Sequence, residues 1–348
     1  MGILQINIIV MMIEALIQIS QKNKKVRDAI FYLMCAQLLF LAVFKSPEYG
    51  VDSVNYTAWF LQWREMPLLE VLRYYSTEPG YILINKIIGF FTDDVTIFYG
   101  LIAVLTLIPQ FIFIKKYSML TGLALVAFTA LGFHEFSMSI LRQALALAIY
   151  VWGFKYISER KFWKYALFVF LAFCFHQTAA ITIFLYFLYP WKNTFGRLLG
   201  SFGASLALFL FAPWVLPILN RLAGKNYVLN YEAGRTLYIL LWVLAFAFFL
   251  IGRKRMNNPS LKVHYDALNI AAVFQSFSMV MESFGRAIQY YQISLVILIP
   301  DVVYYIGLKE KKNQAVFVPL YLLLCVVFYL YYNIAGINVN RVYSFLWS

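Results

Sequence analysis

The chain has 348 residues, 63% of them hydrophobic and 19% aromatic, with a mean hydropathy of +0.73. A soluble protein of this length has no core large enough to hide so much apolar surface, so the composition excludes a soluble enzyme and leaves a multi-pass membrane protein. The formal charge of +13 does not call for a nucleic-acid partner, because its lysines and arginines gather in alternate loops, as the positive-inside rule describes.

A hydrocarbon layer of roughly 30 Å takes about 20 apolar residues per helix, and such runs follow one another along the chain. A single integral membrane domain over 1–348 is expected. The first run, 3–20, lacks a basic start and a small-residue cleavage site and carries Glu14 and Gln18, so it reads as a retained helix. A basic loop from Lys22 to Arg27 follows, then a helix over 29–44. Residues 46–92 form the one long outer loop. Within it Tyr56, Trp59, Phe60 and Trp63 recur at helical spacing, which predicts an amphipathic interfacial segment over 54–75. A belt of rings at headgroup level is the plainer role for these aromatics; stacking of Trp59 and Trp63 on sugars is the functional one.

The stretch "STEPGYILINKIIGFF", 76–91, sets an acid, a proline and a glycine before an apolar run. Pro79 suits a first helical turn, where no backbone donor is needed. A full crossing over 79–91 puts the basic clusters from Lys115 to Lys164 on the wrong side, so a re-entrant or interfacial helix is expected. Glu78 then stands at its outer mouth, either as a cap that favours the helix dipole or as a functional carboxylate. In "FTDDVTIF", Asp93 and Asp94 read as the N-terminal cap of the next helix rather than as a metal-binding pair.

Helices are expected next at 95–114, 119–133 and 138–157. His134 and Glu135 have no second histidine four residues on, so there is no zincin motif. Arg142 opens the helix of "SMSILRQALALAIY" just below the outer surface, and an arginine at mid-membrane costs about 2.5 to 3.5 kcal/mol on insertion scales, so it needs a reason. The stretch 162–190 is long for one span. We split it near His176 into two short limbs, which keeps the basic loop beginning at Arg253 inside and requires the polar turn to be sheltered by protein. Taken alone, His176 reads as a satisfied core histidine. Further helices follow at 198–219, 236–252, 266–281, 287–307 and 315–333. Arg286, in "MESFGRAIQYY", finds its simplest partner in Glu282, four residues earlier.

The basic clusters at Lys22 to Arg27, Lys115 and Lys116, Lys155 to Lys164, Lys192 and Arg197, Arg253 to Lys262 and Lys309 to Lys312 mark the cytoplasmic loops. Both termini then lie outside, with ten to twelve transmembrane helices in an all-α polytopic fold. Cys35, Cys174 and Cys325 fall in apolar runs and indicate neither a disulfide framework nor a zinc site. On the outer face, Asp52 and Glu78, Arg142 and Arg286, and His176 approach one another while the lysines are held to the other side. Guanidinium groups match phosphate oxygens bidentately and keep their charge, so this set describes a pocket for an anionic, lipid-linked substrate such as a pyrophosphate. Arg221, Arg235 and Arg341 are secondary candidates on the same face.

With these residues in view, "DSVNY" followed by "EPGYILIN", then "LRQALALAIYVWGFKYISERKFWKYALFVFLAFCFHQTAA", then "GRAIQYYQISLVILIP" resembles the EpsG-like family of Wzy-type polysaccharide polymerases over residues 50–300. The resemblance implies a GT-C-like glycosyltransferase of the bacterial inner membrane, active on its periplasmic or external side. Such an enzyme passes a glycan from undecaprenyl pyrophosphate to the sugar end of another lipid-linked repeat unit, making O-antigen, exopolysaccharide or capsule. In that chemistry Arg142 and Arg286 neutralise the leaving pyrophosphate, Asp52 or Glu78 orients or deprotonates the acceptor, and His176 donates to the pyrophosphate or assists as a base. No cofactor and no metal is expected. Membrane lipids are partners, and a chain-length regulator and a flippase are expected from the family alone. An O-antigen ligase using the same donor, and a lipid-linked oligosaccharide flippase or other transporter, are the rival readings; a transporter predicts inverted repeats, and none is visible.

Overall fold

The computed structural model describes residues 2–223, 234–252, 255–278, 285–309, 314–336 and 343–347. In chain order its α-helices are α1 (Ile3–Ser20), α2 (Lys24–Val43), α3 (Ser53–Glu65), α4 (Leu68–Tyr74), α5 (Pro79–Phe91), α6 (Val95–Tyr117), α7 (Thr121–Ala130), α8 (Phe133–Ser139), α9 (Leu141–Tyr150), α10 (Phe154–Ser158), α11 (Phe162–Phe173), α12 (Phe184–Leu188), α13 (Phe195–Ala223), α14 (Arg235–Gly252), α15 (Pro259–Ser278), α16 (Gly285–Gln292), α17 (Leu295–Val303) and α18 (Gln314–Gly336). Among the described residues the one β feature is an isolated bridge between Lys45 and Phe345.

The chain is an all-α, multi-pass membrane protein. Among the described residues six helices, α1, α2, α6, α13, α14 and α18, are long and apolar enough to cross a bilayer. Two bent pairs, α7 with α8 (56°) and α16 with the segment Leu295–Leu308 (42°), raise the number to eight. The remaining expected crossings are broken or charged. The run 138–157 is interrupted by the 3-10 turn Val151–Gly153, and α15 carries Lys262, His264 and Asp266 in its first half. The helix at 79–91 is there as α5, and its 13 residues rise only about 20 Å, too little for a full crossing.

The chain divides into two compact units: Met1–Trp152 with Leu167–Ala179 and Ile299–Ser348, and Gly153–Ala166 with Ala180–Leu298. In the first, α6 marks two opposite ends. Near its C-terminus Lys115 pairs with Asp28, and Gln18 of α1 donates to Arg27 O (2.9 Å) and Thr121 Oγ1 (3.1 Å) while accepting from Gly122 N–H (2.7 Å). A Cβ on Gly122 would meet that Gln18 oxygen at 2.6 Å and the Ala15 backbone at 3.1 Å, so glycine permits the close approach of α7 to α1. The basic clusters at Lys22 to Arg27 and at Lys115 and Lys116 therefore share one end. At the other end Asp94 caps α6, accepting from Thr96 N–H (2.6 Å) and Ile97 N–H (3.3 Å), as expected for a cap.

That second end is tied together residue by residue. Ser46 N–H donates to Ser344 O (2.8 Å) and Leu346 N–H to Phe44 O (3.1 Å), which docks the C-terminal strand segment on the chain leaving α2. Lys45, buried, donates from Nζ to Tyr49 O (2.9 Å) and lies 4.0 Å over the Tyr99 ring. Tyr99 in turn donates to Ser53 O (2.8 Å) at the start of α3. Residues 99 and 115 are about 24 Å apart along the axis of α6, so the two ends are separated by most of a bilayer's hydrocarbon thickness.

On α3 the aromatic stripe faces inward. Tyr56, Phe60 and Trp63 fill one side of the helix and pack with Tyr81 and Ile82 of α5 and Phe98 of α6. Trp63 is fully buried in this cluster, so the sugar stacking expected of it is corrected: it is a core residue, and only Trp59 keeps an accessible ring. The C-terminus of α3 leaves orphan carbonyls in an apolar setting, and Lys86 of α5 satisfies them, its Nζ donating to Trp63 O (2.9 Å), Arg64 O (2.9 Å) and Met66 O (2.7 Å).

In the second unit residues 162–165 pack against residues 182–187. Phe162 meets Tyr186 and Phe187 edge-on or tilted, Tyr165 stacks on Tyr186 at 5.8 Å, and the Tyr165 hydroxyl donates to Thr182 O at 2.5 Å. The chain thus doubles back between Phe173 and Gln177, where the split near His176 was expected. Farther along, α15 is the hub of this unit, packing on α13, α14 and α16.

Replacing Lys86 by methionine keeps the bulk and removes three hydrogen bonds from a cation to partly buried carbonyls, an expected loss on the order of 2 kcal/mol. Purified Lys86→Met protein in detergent should unfold at a clearly lower temperature than the parent; an unchanged midpoint would contradict this role.

Candidate functional site

Glu78 immediately precedes α5, with Pro79 at the first helical position, yet its side chain makes no cap hydrogen bond to that helix. Its carboxylate is turned to two other segments. Oε2 accepts from Arg142 Nη1 at 2.7 Å, at the second residue of α9. Oε1 lies 3.0 Å from His176 Nδ1 and 3.3 Å from the N–H of Gln177, the first residue of the 3-10 turn Gln177–Ile183. Glu78 therefore caps not its own helix but the turn facing it, and joins three segments remote in sequence. It is 6% exposed, against 27% for Arg142 and 19% for His176.

Gly80 makes the approach possible. Its N–H donates to Cys174 O at 2.8 Å, and a Cβ there would meet the same oxygen at 2.7 Å and the Phe175 ring at 2.9 Å. The backbone thus brings the 174–177 tip against the start of α5, and the carboxylate lands on His176 as a consequence.

Arg142 faces aromatic surface on its other side. The Trp59 ring centroid is 5.5 Å from its guanidinium carbon, and the Tyr56 hydroxyl, pushed up to about 12 chiefly by burial, faces the same guanidinium as a protonated group. Arg142 Nε is buried without a hydrogen-bond partner. Glu78 and the Tyr56 hydroxyl each engage the fork, whose five N–H groups outnumber these two acceptors, and the side chain stays partly exposed. Asp52 precedes α3 and makes no side-chain cap; its charge acts on Tyr56, and it forms no ion pair with Arg142 among the described residues.

Burial alone would raise the Glu78 carboxyl. The His176 hydrogen bond and the charge of Arg142 outweigh it and hold the group at about 2, against an ordinary 4.5. Glu78 is thus a permanent carboxylate with both oxygens committed, which suits a positioning group and not a proton acceptor.

The structure brings Glu78, Arg142, His176 and Trp59 together, with Tyr56 and Gln177 added to them, and places Asp52 one turn before Tyr56. Tyr56 was signalled only as one ring in an aromatic stripe. Arg221, Arg235 and Arg286 belong to the second unit, all exposed, with Arg286 at the second position of α16. Glu282, the partner expected for Arg286, and Arg341 lie outside the described residues. Of the acidic pair, Asp94 is committed to capping α6 and Asp93 lies 3.5 Å from Arg64. His134 contacts Leu38 O at 2.9 Å and Glu135 accepts from the Tyr332 hydroxyl, both inside the helix packing.

Compared with known proteins, the chain matches the model of the EpsG family over residues 28–347. The chain therefore belongs to the EpsG family, a Wzy-type polymerase-like family. Membership supports a polysaccharide-polymerase-like role for a multi-pass membrane protein. No curated protein and no solved structure matches the chain.

Because the Glu78 carboxyl is held below its ordinary value, the stability it contributes is complete above about pH 4.5 and is lost as the pH falls toward about 2. The difference in unfolding midpoint between the parent and Glu78→Gln should be constant near neutrality and shrink steadily through that acid window. A difference that grows on acidification would contradict the assignment.

Proposed function

We propose that this chain is an O-antigen or exopolysaccharide polymerase of the bacterial inner membrane. It transfers an undecaprenyl-pyrophosphate-linked glycan onto the sugar end of another undecaprenyl-pyrophosphate-linked repeat unit, at the outer face of the membrane. The observation that carries this reading is the buried Glu78 carboxylate holding Arg142 and His176 side by side, with the Arg142 side chain still partly exposed. Support for the outer face comes from the position of this group in the first unit, at the end of α6 remote from Lys115 and the Lys22 to Arg27 cluster, which the positive-inside rule assigns to the cytoplasm.

In this mechanism the acceptor hydroxyl oxygen bonds to the anomeric carbon of the donor sugar as the bond from that carbon to the diphosphate oxygen breaks. Negative charge builds up on the departing undecaprenyl pyrophosphate, and Arg142, pre-set by Glu78, meets it with its remaining N–H groups. With Nδ1–H donated to Glu78, neutral His176 keeps a lone pair on Nε2 and takes the hydroxyl proton. That proton is then passed to water or to the released diphosphate. Glu78 serves as the positioning residue that fixes the His176 tautomer and the Arg142 rotamer, and Asp52 orients the acceptor hydroxyl beside Tyr56. Trp59 offers its ring to a sugar face. The reaction draws its energy from the donor and uses no metal. A chain-length regulator and a flippase act alongside it.

The test is reconstitution with a defined undecaprenyl-pyrophosphate repeat unit and mass analysis of the products. Arg142→Ala should lower the rate of elongation by about 10² to 10³, the usual loss for a removed charge-stabilising donor, and Arg142→Lys should recover only part of it. His176→Ala should be similarly impaired. Full-length polymer from both alanine variants would overturn the mechanism, and products built on a lipid A core acceptor would identify a ligase instead.

A further inference from the structure

The second unit holds a charged cluster and a groove that the proposed transfer reaction does not use. Asp266, fully buried on α15, receives Lys262 Nζ at 2.6 Å on one oxygen and lies 3.0 Å from Arg197 Nη1 on the other. Arg197 is saturated by structure, donating also to Trp191 O (2.6 Å), Asn193 Oδ1 (3.0 Å) and Leu188 O (3.3 Å). Arg160 adds a third cation: its Nη1 donates to Tyr186 O (2.7 Å), its guanidinium lies 4.0 Å over the Tyr186 ring, and its charge reaches Lys262. Three cations thus surround one carboxylate, and Lys161 nearby is already paired with Glu159. The excess of positive charge asks for an anion.

A groove leads away from this cluster. Lys262 and Asp266 lie one helical turn apart on α15, and the next residues on the same face, Asn269, Ile270, Val273 and Phe274, form one wall. The opposite walls are Phe184, Phe187 and Trp191 on one side and Gly200, Ser201 and Ala204 of α13 on the other, around a cavity of about 540 Å³. Its lining is almost wholly apolar; Arg197 stands in it at the cationic end, and Asn269 Oδ1 is buried without a partner. Phe184, Phe187 and Trp191 are about half exposed, so in a bilayer the mouth of the groove meets lipid chains directly.

We propose that this groove holds one acyl chain of an anionic bilayer phospholipid, with the lipid phosphate drawn to exposed Arg160 beside the buried Arg197–Asp266–Lys262 cluster. The apolar walls match the chain and the excess of cations over carboxylate matches the headgroup, the pairing seen where basic pockets between membrane helices hold acidic lipids. The bilayer supplies the ligand at high concentration. Free phosphate lacks the chain, and a neutral phospholipid lacks the charge. The inference is independent of the transfer reaction, since its readout is lipid retention.

The experiment uses the purified full chain, delipidated by detergent exchange and titrated with dioleoyl phosphatidylglycerol, dioleoyl phosphatidylcholine or inorganic phosphate, with bound lipid counted by native mass spectrometry and stability followed by thermal unfolding. Phosphatidylglycerol should be retained and should raise the unfolding temperature, whereas phosphatidylcholine and phosphate should do neither. Arg160→Gln, at an exposed residue, should lower phosphatidylglycerol retention about fivefold, the scale of one basic side chain at an anionic surface. Gly200→Leu fills the groove, and a Cβ at Gly200 meets nothing within 4 Å, so the fold survives while the lipid is lost. Equal retention of the two phospholipids, preference for an added polyprenyl phosphate, or undiminished phosphatidylglycerol binding by a folded Gly200→Leu variant would overturn the proposal.

Discussion

The candidate site depends on one carboxylate that is unused by its own helix. A glutamate before a Pro-Gly helix start ordinarily steadies that helix, and Glu78 instead spans to Arg142 at 2.7 Å and His176 at 3.0 Å. An unpaired arginine or glutamate in so apolar a chain would be expensive, and removing either partner leaves the other stranded. The ion pair thus gives Arg142 its reason to be there, and in the same act fixes the ring orientation of His176. Stability and the proposed chemistry rest on the same contact.

Around that contact the first unit is built as two ends with different tasks. The end near Lys115 and Asp28 gathers cations and joins α1, α2, α6 and α7 through Gln18 and Gly122. The opposite end is knit by Lys45, Tyr49, Ser53 and Tyr99, with the segment 343–347 laid against residues 44–46. This scaffold seats α3, whose buried stripe faces α5 and whose remaining aromatic, Trp59, looks toward Arg142. Short helices and turns carry the site, and longer helices hold them in place, an arrangement that lets polar groups sit near hydrocarbon without exposing backbone to lipid.

Much of this was legible in the sequence where one residue type has one physical use. Pro79 at a helix start, Asp94 as a cap and the reversal near His176 all follow from local rules, and the structure has each of them. The grouping of Glu78 with Arg142 and His176 was legible as chemistry, because charged residues in apolar runs must meet. The contacts that enforce it were not. Nothing local reveals that Gly80 is there for the oxygen of Cys174, or that Lys86 closes the end of α3, since both depend on segments that meet only in the folded chain. Periodicity marked Tyr56, Trp59, Phe60 and Trp63 as one stripe but not its direction, so Trp63 read as a surface ring and proved to be core. Hydropathy likewise does not register the break at Val151–Gly153.

The most direct measurement is an electron cryomicroscopy structure of the protein in a lipid nanodisc with undecaprenyl pyrophosphate bound. The diphosphate should lie within hydrogen-bond distance of the Arg142 guanidinium, with Glu78 still joining that arginine to His176. Ordered diphosphate density bound elsewhere, with these three side chains left unoccupied, would contradict the account.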